Sequence, residues 1–107
     1  MPIIHLHNEA DYNNFIAQNA GHSYVIDFFA TWCGPCKVLA PKLEQWSREY
    51  PGIKFVKVDV DENSEVAQKN NIRAMPTLLF YKNGVKVGEV RGFDENRIKQ
   101  YIIGLGI

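Results

Sequence analysis

The chain has 107 residues, 46% of them apolar and 12% aromatic, enough material for one hydrophobic core, so a single domain over residues 1–107 is expected. Twelve basic residues balance twelve acidic ones, and no run of Lys or Arg supplies the footprint that phosphate binding needs, which argues against a nucleic-acid partner. The first twenty residues, MPIIHLHNEADYNNFIAQNA, lack the basic start and apolar stretch of a secretion signal, and no segment approaches the roughly 20 apolar residues of a membrane span. The expectation is a cytoplasmic protein without a membrane partner, with the starting Met-Pro read as weak support for an intact chain.

IIHL opens the chain as a short strand. Asn8 then offers a helix cap, Asp11 suits the positive end of the helix dipole, and Tyr12, Phe15 and Ile16 follow at helical spacing, which predicts a helix from about Glu9 to Asn19. YVIDFFA is apolar on both parities apart from Asp27, as a central strand covered on both faces should be. After TWCGPC, the residues Leu39, Leu43, Trp46 and Tyr50 recur at helical spacing up to the Pro51-Gly52 turn. They predict a long amphipathic helix, kinked near Pro41, with Trp46 in the core.

IKFVKVDV alternates and is rich in β-branched residues, hence a strand; ENSEVAQKNN is more weakly helical. TLLFYKNGVKVGEVRG reads as two strands joined across Asn83-Gly84, the dipeptide that supplies the positive φ angles of a tight hairpin. Asp94 caps a final helix whose Ile98, Tyr101, Ile102 and Leu105 form one apolar stripe. The order βαβαβαββα predicts an α/β fold, with a mixed five-stranded sheet flanked by four helices.

Both cysteines of the chain lie in Cys33-Gly34-Pro35-Cys36. Structural zinc wants four ligands and would have to recruit His5, His7 or His22 from distant elements. A c-type haem needs histidine directly after the second cysteine, where this chain has Lys37. A purely structural disulfide would close so short a loop that it would stabilise little. A redox dithiol fits best, because residues three apart on a first helical turn stand within disulfide range and the pair opens with little backbone movement. Cys33, at or just before the first helical residue, faces unpaired N–H groups and the positive dipole end, which favour a thiolate; it is the expected nucleophile. Pro35 suits a first turn, where its missing N–H has no intrahelical partner to lose. Cys36, one turn in, should be the more shielded and act as the resolving thiol.

VIDFFATWCGPCKVLAP, RAMPTLLFYKNG and the later VRGF together resemble the thioredoxin family in motif order and spacing along nearly the whole chain. The resemblance implies the thioredoxin fold and a protein-disulfide reductase that binds no cofactor and no metal. It would be reloaded by thioredoxin reductase with NADPH as the ultimate donor. Peroxiredoxins, methionine sulfoxide reductases and ribonucleotide reductase are the implied targets, and a monomer is expected.

For Asp27 the residues alone leave two readings open, a solvated carboxylate or a desolvated acid able to exchange a proton with Cys36. The resemblance favours the acid and places Lys57 close to it. It also implies a cis bond at Met75-Pro76 against the dithiol and backbone pairing of Met75 with an extended substrate. Trp32 and Gly92 would complete the docking groove, with Gly34 and Pro35 supporting the turn.

Two features depart from familiar members. Phe29 stands where many bacterial members have tryptophan, which makes the FFATWCGPC block look eukaryotic and especially fungal, and Phe93 puts a bulky ring beside Gly92. A disulfide isomerase or oxidase commonly carries histidine between the cysteines, and a scaffolding module would not need the thiols; Gly34-Pro35 favours the reductant.

Overall fold

YVIDFF becomes the middle strand of a five-stranded sheet because it is apolar on both faces and can be covered from both sides. A computed structural model describes residues 3–106. In chain order the elements are β1 (Ile3–Leu6), α1 (Glu9–Gln18), β2 (Tyr24–Phe29), α2 (Gly34–Glu49), β3 (Lys54–Asp59), α3 (Ser64–Lys69), β4 (Thr77–Lys82), β5 (Val85–Arg91) and α4 (Glu95–Leu105). The sheet order is β1-β3-β2-β4-β5. β1, β3 and β2 run parallel; β4 pairs antiparallel with both β2 and β5.

The predicted elements are all present, with ends within a residue or two. α1 stops at Gln18 with Asn19 as its C-cap, one residue short of the expected end, and Asn8 caps its start by accepting the Asp11 N–H at 2.8 Å. α2 runs unbroken through Pro41; both Pro41 and Lys37 are exposed, so the Lys37 carbonyl that loses its N–H partner stands on the solvent side. Asp94 caps α4 through the Arg97 N–H, as its sequence position foretells.

Alternation along β2 sorts the core into two layers. Val25 packs with Leu39, Leu43 and Trp46 of α2, Leu78 and Phe80 of β4, and Ile98 and Ile102 of α4. Tyr24, Ile26 and Phe28 face the other way, onto Tyr12 and Phe15 of α1 and Val66 of α3. Asp27 and Phe29 therefore share the α2 face with Val25. Phe93, the bulky ring beside Gly92, is partly buried and packs against the first of these layers.

Asn83 and Gly84 both take positive φ, 53° and 77°, as the tight hairpin requires. A Cβ on Gly84 would stand 2.5 Å from the Ala20 carbonyl oxygen, in the loop after α1. Gly84→Ala is expected to lose about 1–3 kcal/mol, the left-handed penalty plus the clash. Gly52→Ala, whose added Cβ would meet nothing within 4 Å, is the matched control. Urea unfolding of the two variants beside the parent checks this.

Candidate active site

The chain leaves β2 at Phe29, turns through Ala30-Thr31-Trp32 and enters α2, with the Cys33 N–H bonded to the Ala30 carbonyl at 3.2 Å. β2 is flanked by β3 on one side and β4 on the other, so the carboxyl end of this strand opens where the connections diverge, the usual place for a site in an open α/β sheet. The cysteines lie at that end. Cys33 is the N-cap of α2, and its Sγ receives the Cys36 N–H at 3.2 Å. An orphan donor of the first turn thus points at the sulfur and, with the helix dipole, favours negative charge there once the thiol is free.

Cys33 and Cys36 are joined as a disulfide with Cα atoms 5.3 Å apart. Their burial is nearly equal, 6% and 4% exposed, so the expected shielding of Cys36 is slight in this state. The disulfide brings the sulfurs together in a small cluster with Ala30, against which Phe29, Val60 and Met75 pack. What separates the cysteines is position: one caps the helix, the other lies within its first turn, between exposed Pro35 and Lys37.

Met75-Pro76 is cis, and the Met75 carbonyl oxygen lies 3.5 Å from the Cys33 Sγ. Pro76 is buried, and its carbonyl accepts the Gly92 N–H at 2.7 Å, which ties the start of β4 to the end of β5. Gly92 has φ +83°, a conformation that side chains rarely adopt, so the glycine is a backbone requirement of this junction. Trp32 is 66% exposed beside the disulfide, and its indole N–H donates to Asp61 Oδ2 at 2.9 Å. Asp61 escaped the sequence reading. Its only trace there is the acidic stretch DVDEN, whose Asp59 accepts the Asp61 N–H at 2.9 Å and so shapes the turn.

Asp27 is 1% exposed, and neither carboxylate oxygen has a hydrogen-bond partner. The solvated reading is thereby excluded. Burial pushes its carboxyl up to about 7, against the opposing pull of Lys57 across the β2–β3 register. Lys57 does not pair with it: the ammonium sits 4.3 Å from the centroid of the Phe29 ring. No histidine lines the pocket at Cys36: His5 and His7, on or just after edge strand β1, lie on the far side of Lys57, with His7 Nδ1 3.2 Å from Glu62, and His22 is exposed before β2. Among the described residues no cluster of His, Cys, Asp and Glu could hold a metal ion. No helix among them is long and apolar enough to cross a membrane.

A disulfide at the N-cap of a helix, with an ionisable acid buried in the strand that leads into it, marks a thiol–disulfide oxidoreductase. The thioredoxin family model matches residues 3–103. Thioredoxin-1 of Saccharomyces cerevisiae is 50% identical over 93 residues, covering 87% of this chain and 88% of that protein. Thioredoxin-2 of Pyricularia oryzae is 48% identical over 98 residues, 91% of this chain, which spans only 57% of that longer protein. The crystal structure of thioredoxin NaTrxh from Nicotiana alata superposes with a TM-score of 0.94 at 35% identity, covering 99% of this chain and 94% of that one. The chain belongs to the thioredoxin family, and it is a protein-disulfide reductase whose redox pair is Cys33–Cys36.

Proposed function

We propose that this chain works as a monomeric, single-domain electron carrier of the cytoplasm, reloaded by NADPH-dependent thioredoxin reductase and discharged onto protein disulfides, peroxiredoxins, methionine sulfoxide reductases and ribonucleotide reductase among them. The observation that carries the reading is the Cys36 N–H aimed at the Cys33 Sγ at the N-terminus of α2.

The Cys33 thiolate attacks one sulfur of the substrate disulfide; a mixed disulfide forms and the other substrate sulfur leaves as a thiolate that takes up a proton. Cys36 loses its proton to Asp27 and attacks the Cys33 Sγ. The mixed disulfide breaks, the Cys33–Cys36 bond forms, and the second substrate thiolate leaves, so two electrons have passed to the substrate. Asp27 suits its part because a carboxyl held near neutrality both accepts and returns a proton at working pH. Lys57 supports it as the facing charge.

Trp32, Met75, Pro76 and Gly92 form the docking surface around the sulfurs. The exposed indole offers apolar area, and Met75, at the open end of β4, offers backbone to an extended substrate segment. Gly34 and Pro35, exposed in the first turn of α2, keep the approach to Cys33 small and rigid. NADPH plus a proton, through the reductase, returns the two electrons and yields the dithiol. Mixing the chain with thioredoxin reductase, NADPH and insulin should give continuous NADPH oxidation. Absence of turnover with a reductase that serves a yeast thioredoxin in the same assay would overturn the reading.

A further inference from the structure

Asp27 and Lys57 are partners in the parallel β2–β3 register and project from the sheet face that α2 covers. A carboxylate and an ammonium so placed would ordinarily close an ion pair, since a buried charge is costly without one. Here both Asp27 oxygens are unpartnered, and the Lys57 ammonium rests over the Phe29 ring at 4.3 Å. Phe29, two residues along β2, shares the face of Asp27 and is half-buried. With Lys57 it lines a pocket of about 210 Å3 that reaches Cys36.

We propose that Phe29 is a positioning residue for the dithiol chemistry: its ring holds the Lys57 ammonium at the mouth of the pocket beside Cys36 and so keeps it out of an ion pair with Asp27. This rests on the reading of Asp27 as the acid that exchanges a proton with Cys36. An aromatic face competes with a carboxylate for a cation most effectively where water is sparse, and a half-buried pocket wall is such a place. Freed from the ring, Lys57 would swing toward Asp27 and favour its ionised form, leaving less protonated acid at neutral pH. The other ionisable groups nearby are Lys37 of α2 on the pocket side, with Cys36 joining them only in the dithiol form, and Asp59 of β3, His5 of β1, His7 and Glu62 on the far side of Lys57; β4 contributes only Leu78 opposite Asp27.

The test is carbon-13 titration of the Asp27 carboxyl in the disulfide form of the full chain, in the parent, Phe29→Leu, Phe29→Trp, and Phe29→Leu on a Lys57→Met background. Phe29→Leu should lower the midpoint by about half a pH unit, the size of a partly screened cation–π contact transferred to the carboxylate. Phe29→Trp should keep the parent's midpoint, and removing Lys57 should abolish the effect of Phe29→Leu. An unchanged midpoint in folded Phe29→Leu would overturn the proposal, as would an equal drop without Lys57, which would mean that water had simply entered. Phe29→Met serves if the leucine variant does not fold. This readout does not depend on redox activity; the Asp27 reading fails separately if Asp27→Asn leaves the pH profile of disulfide reduction unchanged.

Discussion

Cys36→Ser is expected to turn the reductase into a covalent trap. The first attack needs only the Cys33 thiolate, which keeps its helix N-terminus and its backbone N–H donor when the second sulfur is replaced. The second attack then has no nucleophile, so a mixed disulfide with insulin accumulates and turnover stops. Cys33→Ser should show neither turnover nor adduct, because Cys36 lies inside the first turn, without the N-cap position and the aimed backbone N–H that favour a thiolate at Cys33. Non-reducing electrophoresis and intact-mass spectrometry separate the outcomes: a dithiothreitol-sensitive adduct with Cys36→Ser alone supports the assigned order. An adduct that forms only in Cys33→Ser would reverse the two roles. Near-equal burial of the two sulfurs makes this worth measuring, since exposure alone does not choose between them.

Asp27→Asn should make the protein more stable in mild alkali while slowing the second thiol attack. The Asp27 carboxyl titrates at about 7 in the folded chain against 3.8 as an isolated group. Between those values the folded chain holds a proton that the unfolded chain has released, so stability falls as pH rises through the window and levels off above about 7. A gap of this size corresponds to about 4 kcal/mol, all of it absent near pH 4 and fully felt by pH 8. Asparagine has nearly the same shape and no charge to bury, so the variant's stability should lack this decline. Urea unfolding of both proteins from pH 4 to 9, with the disulfide intact so that neither thiol titrates, reads the difference; parallel curves would contradict a buried ionising group. Loss of the proton acceptor should slow release of reduced substrate about a hundredfold, toward the low end of general acid–base contributions.

The position of Asp27 was legible as an oddity, one carboxylate in the most apolar strand, but its environment was not. Composition alone left a solvated strand face open. Closure of both faces decides the matter, with α2 packed over the face that Asp27 shares with Val25. Lys57 was placed near Asp27 by family resemblance, and the β2–β3 register agrees. The direction of its side chain was legible nowhere, since two side chains opposite each other in a sheet still have rotamers to choose among. Here an aromatic ring on the same face claims the cation. Asp61 was missed for a related reason: a carboxylate in an acidic turn reads as a solvated one, and nothing local says that an indole 29 residues earlier will donate to it.

Local chemistry by itself determined the element order and most element ends. Asn8 and Asp94 cap helices wherever the chain carries them into one, Asn83-Gly84 turns a hairpin, and period-two or helical alternation distinguishes strand from helix without reference to the rest of the molecule. The redox pair was equally local, because a disulfide between residues three apart is fixed by one turn of helix. The tertiary structure decided everything that brings distant segments to that pair. Met75 reaches Cys33 across 42 residues, and the Gly92 N–H closes on Pro76, only because β4 and β5 lie beside β2 in the sheet. Strand order is set by which apolar faces bury one another most completely, a property of the assembled layers that no short stretch of sequence contains.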